Sequence, residues 1–282
     1  MVTYFVLNNI SNRFLGSVLS EADTKVMNAY GWGVQFHKNS PINLFVKFFG
    51  VPHLGARMRN RILENIINKR NHKNSTLFDA GCGIGLTSMY LSNKFTKIYA
   101  VDFEEQKIKE AKMIAKNNHI NNIEFRKVDV LKDKIASKTF DFVICFEVLE
   151  HVDNEEKFIY KLSKLVKKNG IMILSFPSKT LLSRMAQKSL DHHKSGYSSD
   201  EIKKIAKKLK LKVVEEQSFG KSILGKLVVG CDFIFRITFT PLASLFFPVF
   251  YPLLILDYYL PKFGIPRGYI LVIHKKYDDK KR

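Results

Sequence analysis

Three glycines at alternate positions follow a short apolar run that ends in an acid. Residues 77–79 read Leu-Phe-Asp, and the glycines are Gly81, Gly83 and Gly85. Glycine permits positive φ and close approach of the backbone to a ligand, and a strand, tight loop and helix start in this order turn N–H groups toward that ligand. The G-x-G-x-G spacing differs from the dinucleotide-binding G-x-G-x-x-G, and no Gly-Lys-Ser/Thr follows, so this is not a P-loop. Asp79 suits a cationic or amine-bearing ligand.

Two further acids end the next predicted strands. Residues 99–102 end in Asp102, and residues 123–129 end in Asp129. The carboxyl ends of parallel strands open into the crevice where ligands bind, and an acid there can accept hydrogen bonds from ribose hydroxyls. The pattern therefore indicates a nucleoside-bearing ligand.

A third group of polar residues follows the fourth predicted strand, 140–146. These residues are Glu147, Glu150 and His151. If a helix begins here, positions i, i+3 and i+4 share one face, so two carboxylates and an imidazole could converge. Groups of these types remove protons from reacting substrates, which makes all three catalytic candidates.

The order and spacing of these motifs resemble the class I S-adenosylmethionine (SAM)-dependent methyltransferases, over 75–219 and again at 268–274. The resemblance implies SAM as the cofactor, with Asp79 and Gly81 at its methionine end and Asp102 at its ribose. Asp129 and the backbone of Val130 would lie at the adenine edge. The cofactor-binding residues implied are Asp79, Gly81, Cys82, Gly83, Gly85, Asp102, Phe103, Asp129, Val130 and Phe146.

The acidic–histidine group resembles two subfamilies. One comprises quinone-biosynthesis (polyprenyl benzoquinol) O-methyltransferases, which act on membrane-bound polyprenyl phenols. The other comprises small-RNA 3′-end 2′-O-methyltransferases, in which such a group and a downstream histidine bind a divalent metal. By that analogy the metal ligands would be Glu147, Glu150, His151 and His192. Glu-His after this strand also occurs in methyltransferases without metal, where the histidine is structural or lines the substrate site, and the sequence does not favour a metal.

The regular alternation of strands and helices predicts an α/β, Rossmann-like fold. We expect a seven-stranded, mostly parallel sheet covered on both faces, with an antiparallel last strand inserted between the fifth and sixth. The predicted organisation is an N-terminal helical cap or lid (1–74), a SAM-binding core (75–219), a hydrophobic insert (220–266), the last core strand (267–276) and a charged tail (277–282).

The insert contains 20 residues without a charge, Ile237–Leu256. That length suits a transmembrane helix, but Pro241, Pro248 and Pro252 are expected to break helical continuity, and the last strand must rejoin the sheet. A single crossing is therefore not expected. We interpret 220–266 as a segment that dips into one leaflet or lines a lipophilic substrate pocket. A packed subdomain or a dimer interface is the alternative.

Composition restricts the function less than the motifs do. The hydrophobic fraction of 46% supports a packed core, and the three scattered cysteines form neither a disulfide framework nor a zinc knuckle, which fits a reducing, cytoplasmic setting. The apolar run near the N-terminus lacks the basic flank of a signal peptide. A net charge of +20 favours an anionic membrane surface or nucleic acid as a partner, although a lysine-rich composition alone would also produce it.

Together these features predict a SAM-dependent methyltransferase with a lipophilic, membrane-embedded small-molecule acceptor, such as a quinone precursor or an isoprenoid lipid. The protein is expected in the cytoplasm, in peripheral or monotopic association with the membrane. The alternatives are a metal-assisted RNA 2′-O-methyltransferase and a non-catalytic, SAM-binding membrane scaffold. The acceptor atom and the oligomeric state stay open.

Overall fold

The computed structural model describes residues 54–275, except for 118, 134, 136–137, 182, 185–192, 239 and 258. Most of the predicted cap, the predicted tail 277–282 and the metal-ligand candidate His192 lie outside these residues.

The described elements alternate along the chain as the sequence predicts. The strands are β1 Thr76–Ala80, β2 Lys97–Asp102, β3 Ile123–Lys127, β4 Phe140–Phe146, β5 Val166–Pro177, β6 Leu211–Phe219 and β7 Gly268–Lys275. The helices are α1 Leu54–Asn68, α2 Leu86–Tyr90, α3 Glu105–Asn117, α4 Glu155–Leu165, α5 Ser199–Lys208, α6 Ile223–Thr238 and α7 Thr240–Leu256, with a 3₁₀ turn at Leu149–His151.

All seven strands form one sheet in the order β3-β2-β1-β4-β5-β7-β6. The pairs from β3 through β5 are parallel, and β7 runs antiparallel to both β5 and β6. The predicted fold class and the antiparallel insertion of the last strand are confirmed. Because β1, β2 and β4 are parallel, their carboxyl ends meet at one edge of the sheet.

Two local boundaries show how well side-chain signals specify structure. A capping box is present before α5, where the Ser198 side chain accepts from the Glu201 backbone amide and the Glu201 side chain accepts from the Ser198 backbone amide. Asn169-Gly170 is a typical helix C-terminal signal, but α4 ends before it, at Leu165, and the chain enters β5 directly. An irregularity in the β4–β5 pairing accommodates residues 167–170.

Helices cover both faces of the sheet. On one face α1, α3, α6 and α7 contribute to a single buried cluster, with Met58, Ile108, Val228 and Tyr251 among its members. On the other face α4 and α5 pack against the sheet. The uncharged segment of the insert therefore shares its side of the sheet with helix α1.

Helix α7 is continuous although prolines lie within it. Pro248 and Pro252 are inside the helix, and Pro241 is its second residue, where the missing N–H has no partner in any helix. The expectation that prolines break helical continuity is wrong for Pro248 and Pro252, whereas α6 ends at Thr238 and α7 begins at Thr240, next to Pro241. Burial of Phe247, Tyr251 and Leu254 supplies tertiary packing that offsets the lost hydrogen bonds. None of the helices in the described ranges is long and apolar enough to cross a membrane.

Two buried charged side chains hold α6 and α7 in position. The guanidinium carbon of Arg57, on α1, lies 4.3 Å from the ring centroid of Tyr251 and 4.9 Å from that of Phe247. The Asp257 carboxylate accepts from the backbone N–H groups of Gly220 and Ser222, at 2.8 and 2.7 Å. The end of α7 is thereby held against the start of α6, so the two helices form a hairpin.

Candidate active site

A cavity of about 540 Å³ lies at the carboxyl ends of β1, β2 and β4. Its volume is in the range of small-molecule sites. The residues that line it include Asp79, Gly81, Cys82, Gly83, Ile84, Leu86, Thr87, Asp102, Phe103, Glu104, Lys107, Phe146, Glu147, Val148, His151 and His193. Most residues assigned to the cofactor by sequence therefore lie around one space.

The glycine loop brings backbone close to the wall of this cavity. The N–H groups of Gly81 and Cys82 both donate to the Val101 carbonyl, at 2.8 and 2.9 Å. Gly81 has a φ of +74°, and a Cβ added there would lie 2.3 Å from Cγ2 of Val148. Position 81 therefore requires glycine both for its backbone conformation and for space.

Asp79 is a buried acid at the end of β1, only 2% exposed. Ser88 Oγ, on α2, donates to its Oδ2 at 2.7 Å. Burial raises the pKa of Asp79 to about 7; the Ser88 hydrogen bond opposes this shift and the nearby Asp102 carboxylate adds to it. A positive group bound in the cavity would stabilise the ionised form of Asp79.

Asp102, the last residue of β2, holds the glycine loop in place by a hydrogen bond. Its Oδ2 accepts from the Gly83 N–H at 2.7 Å, and its Oδ1 accepts from the Glu104 N–H at 3.0 Å. Each carboxylate oxygen can accept a second hydrogen bond, so both remain able to bind hydroxyl groups. Phe103, beside it, is 62% exposed and offers an aromatic face.

The two residues predicted to bind the cofactor after the third strand lie outside the lining of this cavity. Asp129 and Val130 are not among its lining residues. Asp129 Oδ1 accepts instead from the N–H groups of Leu131 and Lys132, at 2.8 and 3.2 Å, which closes a turn after β3. Their role at the adenine edge stays a prediction.

Glu147 lies in a strained backbone conformation, with a φ of +55°. It precedes the 3₁₀ turn, so the segment does not begin an α-helix and the one-face argument from spacing fails here. Two contacts orient its carboxylate: Arg59 Nη1, on α1, donates to Oε2 at 3.2 Å, and Ser175 Oγ donates to Oε1 at 3.0 Å. Glu147 and His151 still line the cavity together.

Glu150 is buried behind this wall, 2% exposed, and does not line the cavity. Burial raises its pKa to about 8, and the Glu147 carboxylate adds to the shift. Its Oε2 has no hydrogen-bond partner among the described residues. Glu150 is therefore mostly neutral at pH 7.

Of the metal ligands that the RNA-methyltransferase analogy would imply, the three that the structure describes do not form a metal site. No cluster of three or more His, Cys, Asp or Glu residues within the described ranges could hold a metal ion. The chain does place His193 with His151 at the cavity, and His193 Nδ1 lies 3.4 Å from an Asp153 carboxylate oxygen.

Sequence reasoning missed two residues that position the site. No spacing rule links Ser88 to Asp79, and a single serine in a predicted helix does not indicate such a contact. Arg59 is 88 residues from Glu147, so no local pattern links them. The arginines of α1 were the available signal for such a contact, and the sequence did not identify which arginine points inward.

The lining fits SAM on structural grounds. A desolvated carboxylate, Asp79, suits a positively charged ligand, the loop at Gly81 has no room for a side chain, and Asp102 has acceptor capacity for hydroxyl groups. Each feature matches one part of the cofactor that the resemblance implies: its cationic end, its close approach to the backbone and its ribose.

Comparison with known proteins points the same way. The family model described as "Methyltransferase domain" matches residues 71–222. The chain is 38% identical over 112 residues to a ubiquinone biosynthesis O-methyltransferase of Pelagibacter ubique, covering 39% of this chain and 45% of the relative. It is 33% identical over 144 residues to the mitochondrial enzyme of that name from Schizosaccharomyces pombe, covering 50% and 52%. The chain thus spans about half the length of the curated relatives it matches.

Solved structures share the fold. Magnesium protoporphyrin IX methyltransferase from Synechocystis PCC 6803, with bound SAH, superposes with a TM-score of 0.53 at 18% identity, covering 91% of this chain and 95% of that one. Coclaurine N-methyltransferase gives a TM-score of 0.51 at 15% identity, covering 78% and 71%. At these identities the likeness supports the architecture alone.

Replacement of Asp79 by asparagine should stabilise the protein without cofactor in a pH-dependent way. The folded state holds the Asp79 proton up to pH about 7, while the unfolded chain releases it near 3.8. Wild type therefore loses stability as the pH rises through that window, and Asp79→Asn does not. Its advantage should reach at most about 4 kcal/mol above pH 7, at about 1.4 kcal/mol per pKa unit. Thermal unfolding across pH measures it.

The exposed Asp200 provides the control for this experiment. Asp200→Asn removes the same charge from the first turn of α5 and should give a Tm difference that does not grow over that window. Parallel curves for wild type and Asp79→Asn would contradict the assignment of the raised pKa to Asp79.

Proposed function

The chain belongs to the methyltransferase-domain family, and on that premise we propose that this SAM-dependent methyltransferase modifies a lipophilic acceptor at a membrane surface. The acceptor class is a quinone precursor or a similar isoprenoid or lipid amphiphile. Relatives named for ubiquinone biosynthesis support this class. The observation that carries the membrane part is an exposed apolar surface beside the site.

This apolar surface consists of the first turns of α6 and the segment that follows α7. Its exposed side chains are Ile223, Leu227, Tyr259, Leu260, Phe263 and Ile265. The two parts are joined, since the Phe263 N–H donates to the Lys221 carbonyl at 3.0 Å. Single exposed apolar residues are ordinary, but a continuous patch of this kind marks an interaction site. Exposed Lys226 and Lys262 lie within it, as suits an anionic membrane interface.

The apolar surface is close in sequence to Arg267, which interacts with Glu147 on the cavity wall. Its last residue, Ile265, lies two positions before Arg267, where the chain enters β7. Burial lowers the pKa of Arg267, and the Glu147 carboxylate opposes that shift, so the two groups lie within electrostatic reach. An amphiphile that enters along the apolar surface would meet Glu147 and His151 at the cavity wall.

When bound, SAM supplies an electrophilic methyl group, which leaves the protein to position the acceptor and remove one proton. We assign that proton to a ring nitrogen of His151, because its imidazole lines the cavity and histidine is the commonest general base. Glu147, oriented by Arg59 and Ser175, would stabilise the protonated imidazole. Glu150, mostly neutral at pH 7, would not add a second negative charge beside Glu147.

The direct test of the function uses methyl-labelled SAM with purified protein and a fractionated extract of the source cells. We expect label in the lipid pool and none with Asp79→Ala, because that variant lacks the carboxylate that binds the cofactor. Liquid chromatography of the labelled lipid then identifies the acceptor. Label confined to RNA would contradict the proposal and favour the nucleic-acid alternative, and binding of SAM without label in any pool would favour the scaffold.

The membrane part has a separate test in vesicle sedimentation. Replacement of three exposed apolar side chains by glutamine should reduce partitioning into phosphatidylcholine vesicles by about a hundredfold, since each side chain contributes about 1 kcal/mol or more when buried in lipid. The three replacements are Ile223→Gln, Leu227→Gln and Phe263→Gln.

A matched control uses exposed apolar residues elsewhere on the molecule. The control replacements are Met113→Gln, Tyr160→Gln and Val214→Gln. Equal partitioning of both triple variants and wild type would show that the apolar surface does not contact lipid.

A further inference from the structure

A second cavity, of about 330 Å³, lies between α1, β6 and the end of α7. It shares no lining residue with the cofactor cavity. The residues that line it are Met58, Arg61, Ile62, Asn65, Ile66, Asn68, Lys69, Glu215, Gln217, Ile255 and Tyr259. Cationic and amide side chains line one part of this cavity, and apolar side chains line the other.

The polar part of this cavity carries cations in excess. Glu215 is its one lining acid, and its carboxylate already accepts from Arg70 Nη2 at 2.8 Å and pairs with Lys69 Nζ at 3.6 Å. Arg61, also half-buried, forms no ion pair with an acid in the described ranges. A guanidinium and an ammonium therefore face a space that the one carboxylate does not neutralise, which suits an anion.

The apolar part continues into the apolar surface defined above. Ile255 and Tyr259 line the cavity, and Tyr259 is 74% exposed as a member of that surface. Leu256, beside Ile255, is 50% exposed. A ligand that fills both parts must carry an anionic group next to an apolar body, and the cavity opens where the proposed membrane face begins.

We propose that this cavity binds the headgroup of an anionic phospholipid. The phosphate would lie against Arg61 and Lys69, where a guanidinium can bind two phosphate oxygens at once. The glycerol and the first acyl carbons would follow Ile255 and Tyr259 toward the bilayer. This inference rests on the proposed membrane function, which brings the lipid to the cavity. It adds that the protein binds anionic lipids in preference to neutral ones.

The test measures binding of the full chain to phosphatidylcholine vesicles with and without phosphatidylglycerol. Wild type should bind the mixed vesicles more tightly. The double variant Arg61→Gln, Lys69→Gln should lose about 25-fold of that gain, at roughly fivefold for each basic residue. Its binding to phosphatidylcholine alone should equal that of wild type, because the apolar surface is intact.

A charge-matched control separates a specific site from general surface charge. Lys204→Gln, Lys207→Gln removes two exposed lysines from α5, which packs on the opposite face of the sheet. This control should keep most of the gain on mixed vesicles. An equal loss in the two double variants would overturn the headgroup site while leaving the membrane function intact.

A soluble lipid makes the inference independent of vesicle binding. Short-chain phosphatidylglycerol below its micelle concentration should raise the Tm of wild type and of the α5 control, but not that of Arg61→Gln, Lys69→Gln. Inorganic phosphate at the same concentration should raise the Tm less. An equal rise with phosphate, or an equal rise in all three proteins, would overturn the proposal.

Discussion

The active-site end of the sheet depends on one buried carboxylate. Asp79 is removed from water at the end of β1, and its hydrogen bond to Ser88 does not compensate for the lost hydration, so its pKa rises to about 7. A site of this kind weakens the protein without its ligand and favours a positively charged ligand. The glycine loop serves the same ligand, since the backbone near Gly81 must approach both the ligand and Val148.

Helix α1 contacts the α6–α7 hairpin, the cofactor cavity and the second cavity. Arg57 lies over two aromatic rings of α7, Arg59 orients Glu147 at the cofactor cavity, and Arg61 faces the second cavity. These three arginines alternate along one helix, yet each meets a different environment. The hairpin of α6 and α7 is core on the side of Phe247 and Tyr251 and exposed at Ile223 and Leu227. The hairpin thus has one side in the core and leaves apolar side chains exposed at the start of α6.

The sequence predicts the sheet well because its strands are short apolar runs that end in acids or prolines, signals that are local and periodic. It also predicts that Asp79, Asp102 and Phe146 share a cavity, because parallel strands bring their carboxyl ends together. It fails where tertiary contacts override a local rule. Packing of Tyr251 keeps α7 helical through its prolines, and the left-handed conformation of Glu147 separates it from the turn that follows.

We expect the Asp79 carboxyl to lose its proton when the cofactor binds. Calorimetric titration of SAM at a pH about one unit below the Asp79 pKa of about 7, in two buffers of different ionisation enthalpy, measures the protons exchanged on binding. Because wild-type Asp79 is largely protonated there, binding of the cation should release more protons from wild type than from Asp79→Asn. Equal proton release from the two proteins would show that Asp79 does not meet the positive end of the cofactor, and would contradict this account.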